Sequence, residues 1–411
     1  MAHPSHEQLE PLKTLLVEFY GGVGGARKDE IDGMLAHFKR QPDSWVHCQY
    51  FLSLVPQLAP SAEGQYVLFF SVLVFEEFVK RYWAEAAPQQ KAAIRAFLFE
   101  CLATNHAMLP KFLATKLAKV NVDVAKRDWP HDYPDFLTRL TAPLTSADAA
   151  ATPTALLLLQ LVAEEFVSTR QDVLAARQQQ IKELLTQQIN PLLSALFALL
   201  DPAAQTPPPL CRMTLNTLSQ FFTWVPLSQH VTPGRLSTLC ACSISQARGA
   251  GAEIGLLALN SLNELLTKNY VPTEFGDFLL VCFNHILALL DMIVADEQAG
   301  TLDAEYIDRA VQFTLNFFTN HLRRVEGGAK EGEGFSMDRM LTALFQVTYG
   351  RSTANAMDLI RGAECWDFFV EYLIEHGGDV VGLAARYQAG LLAVMEGAIS
   401  RLLHAHNSES E

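Results

Sequence analysis

The chain has 411 residues, a formal net charge of -14 and a pI near 5.3. Phosphate neutralisation needs a basic surface, so this balance excludes a nucleic-acid binder and suits basic protein partners better. Half of the residues are hydrophobic, yet no strict alternation lasts more than a few residues, which excludes a sheet-built core and leaves an all-helical protein.

The first residues, Met1 to Glu7, lack the basic and apolar regions of a secretory signal. Helices are expected over 9–20 and 28–40, parted by the turn Gly21-Gly22-Val23-Gly24-Gly25, which has neither the preceding strand nor the Gly-Lys-Ser/Thr of a phosphate loop. Next come 44–58 and 64–83. In the latter, Val67, Leu68, Phe69, Phe70, Val72, Leu73, Val74 and Phe75 wrap nearly round the helix, so it must be covered on several sides. At its end Glu76 precedes Lys80 and Glu77 precedes Arg81 by four residues, pairs worth ~0.2–0.5 kcal/mol each.

The third pair is 88–105 with 109–127. Leu113, Leu117, Val120 and Val124 form one stripe there, with Lys119 and Lys126 expected opposite it and facing water. Pro130 forces its predecessor out of the α region, so this helix stops near Trp129. The fourth pair is 130–141 with 153–168. From Asp172 a stripe of Leu174, Ile181, Leu185 and Ile189 runs to Pro191, where a kink or break is expected before 192–200. The Pro-rich segment 201–209 reads as a linker.

Beyond it the pairs resume at 210–224, 233–246 with 252–269, and 272–296 with 303–324. Asp303 is the expected N-cap of the last of these, and Arg323 and Arg324 the cations at its negative end. The stretch 278–294 is the most membrane-like, but Asn284, His285 and Asp291 interrupt it, so it reads as a buried helix. A flexible loop is expected at 327–334, then helices over 336–349, 353–376 and 380–405, and a polar tail at 404–411.

Catalytic signatures are missing from this sequence. Gly249, Gly251 and Gly255 have the wrong spacing for a dinucleotide fingerprint, and the twelve histidines form no metal-ligand constellation. The seven cysteines are scattered among apolar neighbours, as buried free thiols of a reducing compartment would be. No cofactor, metal or membrane is expected, nor is enzymatic activity. Trp83, Trp129 and Trp224 each close an apolar helix and are expected in the core. Paired helices recurring every ~40–47 residues make a stacked helical repeat in which each pair needs its neighbours to bury its apolar face.

The stretch 111–136, in which a lysine-bearing helix ends in an acidic residue and Trp129-Pro130, resembles the third and fourth repeats of the exportin branch of the importin-β (karyopherin) superfamily. The run 65–83 is similar to the second helix of that family's second repeat. The segments 41–54, 164–185 and 222–233 resemble the actin- and profilin-exporting branch. The resemblance implies a right-handed superhelical solenoid of HEAT-type helix pairs, with Ran-facing repeats over 1–200, further repeats over 210–403, and a length short of the family's own. It implies nuclear export, shuttling between nucleus and cytoplasm, with Ran-GTP, actin-profilin cargo and nuclear-pore Phe-Gly repeats as partners. The polar residues of the Ran-facing second helices are then Glu30, Lys80, Arg81, Lys116 and Lys119, while Trp83, Trp129, Pro130 and Trp224 are structural. An import receptor of the same superfamily and a HEAT scaffold that ignores Ran are the alternatives.

Overall fold

A computed structural model of the chain describes residues 6–22, 24–146, 148, 150–166, 175–267, 276–332, 334–351, 356–375 and 380–408. Among these no β-strand occurs; the all-α solenoid of helix pairs is what the structure shows. Contacts divide the chain into two compact units, Met1–Ala195 and Leu196–Glu411.

Unit 1 runs α1 (His6–Tyr20), α2 (Gly25–Lys39), α3 (Ser44–Ser53), α4 (Val55–Leu58), α5 (Ala62–Arg81), α6 (Pro88–Asn105), α7 (Lys111–Asp128), α8 (Phe136–Thr145), α9 (Thr152–Glu165) and most of α10 (Ala175–Ala198). The second helices α5, α7 and α9 pack on one another in file, and α3, α6 and α8 each pack on their partner. Two features fix the start of α5: the Ser61 hydroxyl accepts from the Gly64 amide at 3.0 Å, and Gly64 lets the α4 end approach. A Cβ there would sit 2.1 Å from the Leu58 carbonyl oxygen. As expected, α5 is covered on several sides, by α1, α2, α3, α4 and α7.

Several expected boundaries move, each for a local reason. The helix expected over 44–58 breaks at Leu54, ahead of Pro56, into α3 and α4. The fourth pair begins at Phe136 rather than Pro130, and α8 runs through Pro143 to Thr145. Likewise α10 continues through Pro191 without the expected break, because buried Ile181, Leu185, Ile189, Leu192 and Leu193 hold both sides of the proline in place. Asp172 and Leu174 lie outside the described residues.

Unit 2 carries α11 (Pro208–Phe222), α12 (Leu227–His230), α13 (Pro233–Ser245), α14 (Ala252–Leu266), α15 (Gly276–Ala295), α16 (Ala304–Glu331), α17 (Met337–Phe345), α18 (Ala356–Glu375) and α19 (Val380–Ser408). Here α11, α14, α16 and α18 pack in file, with α13, α15 and α17 beside them. The membrane-like run is α15, whose Phe278, Leu279, Cys282, Phe283, Ile286, Leu289, Leu290 and Ile293 are buried in the unit. Asp303 caps α16 as expected, accepting from the Glu305 amide at 2.8 Å. That helix runs on to Glu331 through the stretch expected to be a loop, and Gly332, at φ 80°, ends it. Arg323 and Arg324 therefore sit within the helix and not at its negative end. The helix expected over 336–349 stops at Phe345 and widens into a π turn at Gln346–Gly350.

Within α15, His285 holds its Nε2 3.1 Å from the Ser243 hydroxyl, with its ring edge-on to Phe313. Burial pushes its pKa down to about 4; burial and the nearby Arg324 push His321 down to about 4 too. The unfolded chain takes these protons first, near pH ~6.5, so stability is complete above that pH and falls as pH drops toward the folded values. Each contributes up to about 3 kcal/mol of this loss. Urea titrations at pH 7 and pH 4.5 are expected to show it, and His285→Gln to flatten the dependence; an unaltered slope in that variant would contradict the assignment.

Candidate functional site

The site is built on the stacked second helices of unit 1. Tyr20 of α1 stacks on Tyr66 of α5 with ring centroids 5.2 Å apart, and lies edge-on to Phe69 at 6.3 Å. Phe69 in turn meets Phe112 of α7 at 6.1 Å. This aromatic row crosses three helices, and its last ring is open, with Phe112 52% exposed. Phe69, Phe112, Thr115 and Leu161 floor a groove of about 680 Å³, and Lys111, Lys116 and Lys119 line its edge.

Lys116 and Lys119 are each held by a carboxylate of a neighbouring helix. Glu76 of α5 lies 2.7 Å from the Lys116 ammonium of α7 and 3.4 Å from Lys80. Burial pushes the Glu76 pKa up, but the hydrogen bond and charge of Lys116, with Lys80 behind them, outweigh burial and hold it below the ordinary carboxylate value. Lys119 sits 3.1 Å from Asp123 and 3.3 Å from Glu165 of α9, and Lys126 lies 3.5 Å from the other Glu165 oxygen. Burial alone would lower the Lys119 pKa, and the two carboxylates reverse this and raise it. For Asp123 burial prevails and the pKa is raised.

These contacts overturn one expectation. Lys126 does not face water: it is 1% exposed, because α5, α6 and α9 surround α7 and leave it no solvent face at that level. Lys119 is only partly exposed, at the groove edge.

Residues 32–104 match the family model for the importin-beta N-terminal domain, and residues 110–252 that for Exportin 1-like protein. Exportin-6 of Mus musculus is 29% identical over 97% of this chain and 41% of its own length. Exportin-6 of Dictyostelium discoideum is 24% identical, over 98% of this chain and 41% of its own length. The chain belongs to the exportins of the importin-β superfamily. It is similar to exportin-6, and spans about two fifths of the length of those relatives. Exportin-1 of Schizosaccharomyces pombe is 20% identical over 77% of this chain and 29% of its own length. The NOT1 superfamily homology domain from Chaetomium thermophilum aligns with 10% identity and a TM-score of 0.21, too low to carry any argument.

In this exportin the two family matches adjoin at the groove, since α5 lies within the first and α7 and α9 within the second. Of the residues singled out from the sequence, Lys80 and Lys116 share Glu76, and Lys116 and Lys119 edge the groove. Arg81 pairs with Glu77, and Glu30 pairs with Arg27 on α2 at 2.9 Å; neither borders the groove. Trp83 is buried and donates its indole N–H to Asp128 at 2.8 Å, Trp129 is buried at the end of α7, and Trp224 is half-buried against Phe221. Pro130 follows Trp129 through a cis peptide. The floor residues Phe69, Phe112 and Leu161 were not foreseen as a surface. Phe112 alone carried a clue, because it falls outside the Leu113–Leu117–Val120–Val124 stripe that its helix buries.

Proposed function

We propose that this chain is a nuclear export receptor whose second-helix face in unit 1 binds Ran in its GTP state, with actin bound to profilin as cargo. The observation that carries this is the lysine-edged aromatic groove of α5, α7 and α9, lying where the importin-beta N-terminal and Exportin 1-like matches adjoin. In a chain of net charge -14, such a local gathering of cations around open rings suits an acidic partner with an apolar contact residue. Phe-Gly repeats of the pore complete the partner set of a receptor that shuttles between nucleus and cytoplasm.

Export needs Ran-GTP and cargo to favour each other. Coupling of binding free energies is reciprocal, so whatever factor Ran-GTP adds to cargo affinity, cargo adds to Ran-GTP affinity. The importin-beta N-terminal match favours import as the second reading, in which the coupling has the opposite sign. Cargo affinity measured with and without Ran-GTP separates the two, and a scaffold shows no Ran dependence at all.

The site itself is tested by Lys111→Glu with Phe112→Ala. Both positions are exposed, so far-UV helicity is expected to hold while capture of GTP-locked Ran falls about tenfold or more. Lys80→Glu is expected to weaken capture more than Arg81→Glu, since Lys80 shares Glu76 with the groove lysine Lys116. Undiminished capture by the double variant would place the binding face elsewhere.

A further inference from the structure

The seven cysteines were expected to be buried, and five are; Cys211 of α11 and Cys242 of α13 are only partly so, and both open on the same cleft. That cleft lies within unit 2 and holds about 700 Å³, a size suited to a small molecule. Phe197, Leu200 and Ile254 give it an apolar wall, and Ser237 and Thr238 of α13 add hydroxyls. Among the described residues that line it, Asp201 alone is charged. This carboxylate is exposed, and it accepts from the Ala203 amide at 2.8 Å, which fixes it on the segment that follows α10.

The Cys211 S–H donates to the Thr206 carbonyl at 3.4 Å, which holds the thiol against that same segment. Burial raises its pKa, opposed by its own backbone and by the Arg212 charge, whereas burial and the nearby Cys211 take Cys242 up to about 11. Cys211 therefore keeps the larger share of thiolate, the form that attacks a disulfide. We propose that this cleft is a thiol–disulfide exchange site for small amine-bearing disulfides, with Cys211 as the attacking thiol and Asp201 as the seat of the ammonium. The Cys211 thiolate attacks one sulfur of the disulfide, whose S–S bond breaks as the new S–S bond to the protein forms. The other half leaves as a thiolate and takes up the proton that Cys211 gave. One protein thiol is oxidised and one half of the disulfide reduced, so the disulfide itself is the oxidant. In a chain of net charge -14 a cationic disulfide is drawn in, while an anionic one such as oxidised glutathione is turned away. Cys242, on the same cleft, is the thiol that can displace the bound half.

The test incubates the reduced full chain with cystamine or with the neutral 2-hydroxyethyl disulfide and maps the modified peptides by mass spectrometry. Each rate is divided by that reagent's rate with a free cysteine peptide, which removes its intrinsic reactivity. The expected product carries cysteamine on Cys211, or a Cys211–Cys242 disulfide that has expelled it, and Cys242→Ser is expected to leave the first form alone. Cystamine is expected to be favoured about threefold, the worth of one partly exposed ion pair. Asp201→Asn keeps an acceptor for the Ala203 amide and is expected to abolish that preference. Ala241→Trp, at an exposed position of α13 on the cleft wall, is expected to slow both reagents with far-UV helicity unaltered. Modification of the buried cysteines ahead of Cys211, equal normalised rates for the two reagents, or a preference that survives Asp201→Asn would each overturn the proposal.

Discussion

Replacing Trp129 with alanine is expected to cost about 3–5 kcal/mol and to lower the melting temperature of unit 1 by roughly 10 °C. The indole is 0% exposed and fills the corner where three helices meet. Its ring lies 6.0 Å from Phe166 just past α9, and Phe166 stacks on Phe136 at the start of α8. Truncation opens a cavity that these rings cannot close, because each is held by its own helix. The backbone at the same place is pinned separately: Arg177 of α10 donates to the carbonyls of Lys126, Arg127 and Trp129 at the α7 end. Trp129→Phe keeps much of the volume and is expected to lose less than half as much. A melting temperature unaltered in the alanine variant would contradict this packing.

The second large effect is expected at Asp128, the last residue of α7. A carboxylate at the negative end of a helix dipole is unfavourable, so this one depends on its partners. It accepts the Trp83 indole N–H at 2.8 Å and pairs with Arg95 of α6, and it is buried. Asp128→Ala leaves the Arg95 charge facing the interior and the indole N–H without its acceptor, which costs about 3–5 kcal/mol. Asp128→Asn retains an acceptor for the indole but no charge for Arg95, and is expected to fall between the two. Arg95→Met combined with Asp128→Leu is expected to recover most of the loss, because replacing both partners leaves no stranded charge. Chemical denaturation of the four proteins decides; a single alanine variant within about 0.5 kcal/mol of the natural chain would mean the network contributes nothing.

What the sequence disclosed and what it hid differ by how local the physics is. Period, caps and the Trp129 stop are local, so the helix order, the Asp303 cap and the end of α7 were all legible. The end of α16 was not, because nothing local distinguishes Gly327 and Gly328 inside the helix from Gly332 that ends it. Proline misled for a related reason. Pro143 and Pro191 each cost a backbone hydrogen bond, yet side chains buried on both flanks outweigh that loss. Lys126 shows the limit most clearly. A lysine opposite an apolar stripe reads as solvated, whereas in the fold Glu165 of α9, thirty-nine positions along, brings a counter-charge to its buried ammonium. At the site, Lys80, Lys116 and Lys119 were legible as helix-borne charges, whereas the groove floor depends on which apolar side chains three helices leave uncovered.

In the proposed function, unit 1 presents a face that senses the nucleotide state of its partner. The direct measurement is a titration of the purified chain with fluorescently labelled Ran, loaded in parallel with a non-hydrolysable GTP analogue and with GDP. Saturable binding to the GTP form that the Lys111→Glu, Phe112→Ala variant loses, with little binding to the GDP form, is the result expected. Equal affinity for the two forms would contradict it.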